Sequence, residues 1–196
     1  MTTRVLDVVG AAIGLVVLAP FAVIAAVAIA CDSRGGVLYR AERMGRDGQV
    51  FSMLKLRTLH RTAGPRITAG DDERITRVGR VLRRLHVDEW PQLWNVIRGD
   101  MSLVGPRPED PSLVDLDDAR WRRVLAVRPG ITGPTQLAFA QREAECLRTA
   151  SAEHTYVRDL LPAKLASDDA YVATRSLARD VSILARTLVV PLRRVA

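Results

Sequence analysis

Aromatic side chains are scarce, at 5% of 196 residues, although 48% of the chain is hydrophobic. The apolar content is therefore mostly Ala, Val, Leu and Ile, which suits helices and lipid-facing surfaces better than a sandwich of sheets. Cysteine is nearly absent. Cys31 and Cys146 make no disulfide framework, and neither has a Cys or His at metal-ligand spacing, which argues against a zinc site. The three histidines, His60, His86 and His154, are scattered and read as surface or half-buried residues. Acidic residues are the minority charge, 22 against 29 basic ones, for a net charge of +7. That excess attracts polyanions as a class: nucleic acid, anionic lipid headgroups or phosphate-bearing substrates. Neither internal repeats nor low-complexity runs occur, and the length fits one domain.

The most informative absence is of charge between Val8 and Cys31. This run exceeds the roughly 20 apolar residues that mark a membrane helix. Arg4 and Asp7 precede it, and Arg34, Arg40, Arg43 and Arg46 follow, so the positive-inside rule puts the segment after Cys31 on the cytoplasmic side. Three readings compete: a spanning helix, a cleaved signal or lipoprotein leader ending at Cys31, and a helix broken at Pro20 that leaves by the face it entered. Pro20 sits near the middle of the run, where its ring removes a backbone hydrogen bond and clashes with the preceding turn. Kinked spanning helices tolerate proline too, so the residue alone does not decide.

Along the remainder, Gly45 and Gly48 bracket Arg46-Asp47 and predict a hairpin or turn running into a short element. Residues 61–72 read as a loop. Ile75, Val78, Leu82 and Leu85 recur at helical spacing among arginines and predict a basic amphipathic helix over 74–86, suited to an anionic membrane surface or to a core. A helix from Pro91 to about Arg98 ends at Gly99. Three prolines keep 105–111 irregular. Further helices are predicted near 113–125, 138–148, 153–166 and 169–194, the last with a Leu177, Val181, Leu184 and Leu188 stripe.

Asp88-Glu89-Trp90-Pro91 is the strongest candidate for chemistry. Proline favours the first helical turn, so both carboxylates should stand at a helix N-terminus. They could merely cap that helix. Alternatively, with Arg83 and Arg84 one turn upstream, and Lys55, Arg57 and Arg107 in short or constrained motifs, a carboxylate kept ionised could act as nucleophile or metal ligand. Adjacent acids suit phosphoryl chemistry better than glycoside cleavage, which needs carboxyls on opposite sides of a sugar.

These strings resemble the bacterial sugar transferase family, the monotopic phosphoglycosyl transferases. The matching stretches are Glu42-Arg43-Met44-Gly45 with Lys55-Leu56-Arg57-Thr58, Asp88 through Asn95, Gly99 through Pro108, and Arg128-Pro129-Gly130-Ile131-Thr132-Gly133, with a fainter match from Asp169 to Thr187. Departures are His86-Val87 where the family more often has Ser-Leu, Trp90 where it often has Leu or Phe, and Pro134 through Leu137 where Leu-Ala-Gln-Val is usual. The resemblance implies that Asp88 attacks the sugar-linked phosphate of a UDP-sugar to release UMP, and that Glu89 acts as base or helps Asp88 hold Mg²⁺. Polyprenyl phosphate would then take the phosphosugar. Lys55, Arg57, Arg83, Arg107, Arg128 and Gln92 would bind substrate.

The fold expected is α+β, predominantly α. Residues 1–33 form a re-entrant membrane helix broken at Pro20, and 34–196 a catalytic domain with interfacial helices and a small β-hairpin. The resemblance also implies a place on the cytoplasmic face of the bacterial inner membrane, the catalytic unit alone, and no nucleic-acid partner; a homo-oligomer stays open. The alternative is a membrane-tethered basic protein that binds nucleic acid or anionic lipid without catalysis.

Overall fold

The computed structural model describes residues 2–60, 62, 72–146 and 152–194. The loop expected over 61–72 lies almost wholly outside them, as does the side chain of Leu188. Helix α1 runs from Thr2 to Asp32, which at 1.5 Å per residue is roughly 46 Å. It does not end at Pro20: where a break was expected, helix continues on both sides. Contacts on each side of the proline explain this, since Gly14 packs on Leu93 and the Phe21 ring meets Trp90 edge-on at 6.3 Å. The lost hydrogen bond removes one rung rather than the helix.

One stripe of α1 faces the rest of the chain along its whole length. Arg4 donates to the carbonyls of Val96 and Ile97 at 2.7 and 2.9 Å. Asp7 accepts from Ser102 Oγ at 2.6 Å and from the Leu103 N–H at 2.9 Å. Ala11, Ala25 and Ile29 are buried, and Asp32 accepts from the Val78 N–H at 3.0 Å. These positions recur every three or four residues, the spacing of one helix face. Val9, Val16, Val23, Ile24 and Val27 on the other faces are exposed.

Strands β1 (Leu38–Met44) and β2 (Val50–Leu56) pair antiparallel, with Ala41 opposite Met53. The predicted turn is there: Asp47 and Gly48 both take positive φ, 57° and 73°. Helix α2 covers Arg77–Arg84, capped by Thr76, whose Oγ1 accepts from the Gly79 N–H at 2.9 Å. It turns Leu82 inward and leaves Val81 and Leu85 exposed. Helix α3 is Gln92–Arg98 and stops at Gly99, φ 95°. Asn95, fully buried, staples α3 to β2: its Oδ1 accepts from the Leu54 N–H at 2.9 Å, and its Nδ2 donates to the Ser52 carbonyl at 2.8 Å.

A second pair of strands was not expected. β3 (Ser102–Val104) and β4 (Gly130–Thr132) run parallel, extended by Gly105 N–H to Thr132 O at 2.9 Å and Gly130 N–H to Pro106 O at 2.8 Å. The two backbones approach so closely that a Cβ on Gly105 or Gly130 would collide with main-chain atoms of the other segment. The Gly-Pro-Arg-Pro and Arg-Pro-Gly motifs are thus one structural feature.

Helices α4 (Ala119–Val124), α5 (Pro134–Cys146), α6 (Ala152–Thr155), α7 (Leu161–Ala173) and α8 (Leu177–Arg194) complete the fold, with a π-helical turn at Tyr156–Leu160. Trp121, Val124, Tyr156, Leu160, Leu161 and Leu165 form their core. The helix predicted over 113–125 is shorter, because Asp118 caps it late by accepting from the Arg120 N–H. The boundary predicted between 166 and 169 falls instead at Thr174–Ser176. Among the described side chains of α8, Asp180 and Ile183 are buried, while Leu177 and Val181 of the predicted stripe stand exposed.

Candidate active site

Asp88 and Glu89 lie in a 3₁₀ turn, Val87–Glu89, directly before α3. His86 reaches that turn in the left-handed region, φ 55°. Pro91 stands at the N-cap of α3, and Glu89 is bonded to Lys55 rather than to the start of that helix. Glu89 Oε1 accepts from Lys55 Nζ at 2.8 Å and lies 3.6 Å from Arg107 Nη2. Lys55 comes from β2 and Arg107 from the segment pinned by β3 and β4, so three separate pieces of chain meet at one carboxylate.

The two acids experience opposite electrostatics. Burial and the neighbouring Glu89 push the Asp88 carboxyl above its ordinary value, against the pull of Lys55 and Arg83. Burial also disfavours the Glu89 carboxylate, but Lys55 and Arg107 outweigh it and hold its pKa down at about 2. Glu89 is therefore a fixed anion, whereas Asp88, expected to be kept ionised, is pushed the other way by burial and by Glu89, with Lys55 and Arg83 offsetting this only in part. Such divergence marks different chemical roles.

Both acids open on a cavity of about 1000 Å³, which Lys55, Arg57, Arg83, Gln92 and Arg107 also line. Arg83 is held by Nε donating to Thr58 Oγ1 at 2.8 Å. Gln92 is buried in the first turn of α3. Arg57 reaches the wall with its fork turned away: Nε donates to the Gly36 carbonyl at 2.5 Å, Nη1 to Ser33 Oγ at 2.6 Å and Nη2 to the Ser33 carbonyl at 2.9 Å. It ties the end of α1 to β2. Arg128 does not line the cavity, and its Nε donates to the Gly99 carbonyl at 2.8 Å.

Sequence reasoning missed a buried polar knot behind Arg107. Lys164 Nζ donates to Glu109 Oε1 at 2.9 Å and to Tyr156 Oη at 2.5 Å, and Tyr156 in turn donates to Glu109 at 2.8 Å. Asp168 accepts from Thr135 Oγ1 and from the Arg107 N–H, and burial pushes its carboxyl up to about 7. The signal was a charge inside an apolar run, Leu160-Leu161-Pro162-Ala163-Lys164-Leu165.

A second, apolar groove of about 580 Å³ lies between α1, the hairpin and α3, with Leu15, Leu18, Trp90 and Trp94 among its walls. It shares Leu38, Arg40 and Leu56 with the polar cavity, so the two adjoin.

An apolar 31-residue helix with a mostly exposed surface is packed on an α+β domain that holds a cation-flanked carboxylate pair, an arrangement that fits a membrane-associated protein. The chain belongs to the bacterial sugar transferase family, which matches residues 1–194. It is 42% identical over 94% of its length to a UDP-glucose:undecaprenyl-phosphate glucose-1-phosphate transferase of Caulobacter vibrioides, of which it covers 67%. It is 35% identical over 94% of its length to an undecaprenyl-phosphate glucose phosphotransferase of Komagataeibacter xylinus, covering 35% of that protein. An exopolysaccharide production protein of Rhizobium leguminosarum is 34% identical over 97% of this chain and is covered over 95% of its own length. The chain is thus a transferase by family, and spans from about a third to nearly all of these relatives.

Proposed function

We propose that this chain moves a sugar-1-phosphate from a UDP-sugar to polyprenyl phosphate, releasing UMP, through a phosphosugar held covalently on Asp88. The observation that carries the reading is the asymmetric acid pair: Glu89 fixed as an anion by Lys55 and Arg107, and Asp88 beside it facing the cavity. In the first step an Asp88 Oδ forms a bond to the sugar-linked phosphorus, and the bond from that phosphorus to the UMP oxygen breaks. In the second step a phosphate oxygen of the polyprenyl phosphate attacks the same phosphorus and displaces Asp88, which regains its carboxylate. One nucleophile thereby serves a soluble donor and a lipid acceptor in turn. Arg83, Arg107 and Lys55 supply positive charge where phosphate oxygens gain negative charge.

Among the described residues no group of three or more His, Cys, Asp or Glu side chains is placed to hold a metal. The Asp88–Glu89 pair does fit Mg²⁺ as a partial site, because that ion takes one or two carboxylates and completes its shell with substrate phosphates and water. Asp88 would be the principal ligand, since Glu89 already has two cations. Bound there, Mg²⁺ would neutralise charge on the diphosphate.

The acceptor reading rests on the apolar groove, which suits an isoprenoid tail and opens beside the polar cavity. The topology reading rests on α1. Its two ends are bonded to one and the same domain, Arg4 to Val96 and Asp32 to Val78, which favours both ends on the cytoplasmic face of the inner membrane over a crossing. Cysteines placed at Thr3 and Ser33 should both resist an impermeant thiol reagent applied from the periplasm. Labelling at Thr3 would sink that topology. The reaction itself is tested by UMP release from a panel of UDP-sugars with polyprenyl phosphate and Mg²⁺, and by an intact-mass adduct on the Asp88 peptide with donor alone.

A further inference from the structure

The polar cavity has two chemically unlike ends, and they are not explained by phosphate binding alone. On one side of Asp88 stands Arg83, with Arg74 beyond it ion-paired to Asp72 at 2.6 Å; Tyr39 is close to Arg74, and the His60 N–H donates to the Arg74 carbonyl at 2.8 Å. Tyr39 is 55% exposed and lines the cavity. On the other side Arg107 separates the acid pair from Glu109, Glu143 and Tyr156, whose charges and dipoles act on it together. Glu153 also lines the cavity, on the helix that leads into Tyr156. Here the aromatic ring is already occupied, because Lys164 Nζ lies 4.7 Å from the centre of the Tyr156 ring.

A UDP-sugar is likewise asymmetric about the phosphorus that reacts. On one side it carries a second phosphate and a flat base; on the other it carries a neutral ring covered with hydroxyls. The nucleotide half needs cations and a stackable surface. The sugar half needs hydrogen-bond acceptors and no uncompensated cation, which a carboxylate wall provides and which repels phosphate. Only one orientation matches both ends of the cavity.

We infer that Glu143 and Glu153, on α5 and α6, read the hydroxyls of the transferred sugar, while Tyr39 and His60 receive the uridine. This rests on the donor assignment proposed above. Glu143 is suited to the task because its side chain is 26% exposed and its contact with Lys164 is long, 3.5 Å, leaving acceptor capacity towards the cavity. Glu109 is consumed by Lys164 and Tyr156 and keeps the wall rigid. The π-helical turn at Tyr156–Leu160 fits this role, since such bulges recur at functional sites and here aim Tyr156 into the knot.

The test uses the full chain in membrane-mimetic particles with Glu143→Gln, Glu153→Gln, Tyr39→Ala and His60→Ala. Dissociation constants for UMP, UDP-glucose, UDP-galactose and UDP-N-acetylglucosamine are measured in the Asp88→Asn background, so that sugar discrimination is read without turnover. At least one glutamate variant should change the preference among the three UDP-sugars by about tenfold or more, with UMP affinity held within about twofold. At least one of the Tyr39 and His60 variants should weaken UMP by about tenfold and leave sugar preference intact. The exposed Glu153 lies outside the buried knot, so its variant keeps the experiment decisive even where Glu143→Gln disturbs folding. Unchanged sugar preference in both glutamate variants overturns the inference. So does loss of UMP affinity in either of them, or unchanged UMP affinity in both variants of the other end. If the wild-type chain binds and discriminates UDP-sugars but releases no UMP, the transfer reaction fails and the assignment of the two ends stands.

Discussion

The polar cavity and the apolar groove share a wall and little else. Leu38, Arg40 and Leu56 belong to both. On one side of that wall, carboxylates and cations from β2, the 3₁₀ turn and the 105–111 segment converge. On the other, α1, Trp90 and Trp94 offer almost only hydrocarbon. In the proposed reaction, neighbouring sites of opposite polarity would let one phosphorus be approached from water and from lipid. They also make the two halves of the reaction separately breakable.

The largest effect should come from the polar side. Asp88→Asn should reduce transfer by at least about a thousandfold, as loss of a covalent nucleophile does. It should also abolish the intact-mass adduct, while circular dichroism and membrane insertion stay unchanged. Near-normal turnover would overturn the covalent mechanism. Next, Lys55→Met leaves Glu89 with the longer Arg107 contact alone. Turnover should fall by about a hundredfold, the scale on which single charge-stabilising groups act. Measured kcat/KM for the donor reports this, and an effect below about threefold would detach Lys55 from the chemistry.

The groove should respond differently. Trp90→Ala removes the ring that meets Phe21 and lines the groove. KM for a long-chain polyprenyl phosphate should rise by about tenfold, near the lower end of the roughly 1.5–3 kcal/mol gained by burying a large apolar side chain. KM for the UDP-sugar should hold. Equal change in both constants would mean that the two cavities are one site.

The smallest effect is on stability and belongs to the knot under the polar side. Burial lifts the Asp168 pKa from 3.8 to about 7. The folded state therefore binds the proton more tightly than the unfolded chain. That contribution is complete below about pH 3.8 and disappears as pH rises through 7. Asp168→Asn should flatten the fall in melting temperature between pH 4 and 7 and raise it by about 2–4 °C at pH 8. An unaltered pH profile of thermal unfolding would count against a protonated Asp168.

Much of this was legible from residue order. The uncharged run before Asp32 declared α1, Gly45 and Gly48 declared the hairpin turn, and Asp88-Glu89 before Pro91 declared the acid pair. The fate of Arg57 and Arg128 was not legible. Arg57 shares a motif with Lys55, Arg128 opens the Arg-Pro-Gly motif, and an arginine's fork serves carbonyls as readily as phosphates. Nor could the alternation of apolar residues in α8 show which stripe is buried, because the burying surface is supplied by β3, β4 and α5, distant in the chain.

What the sequence by itself determined is the inventory of local elements and the chemical types available to them: an apolar helix, a tight turn, a carboxylate pair, an excess of arginine. These follow from propensity and from hydrophobic spacing, which act over a few neighbouring residues. Tertiary structure alone decided that Glu89 is clamped while Asp88 is not, that Arg107 stands between the acid pair and a buried lysine, and that both ends of α1 are tied to one domain. Those outcomes depend on contacts between residues 34 to 93 positions apart. A charge's behaviour is set by whichever partners close that distance, and no local pattern records them.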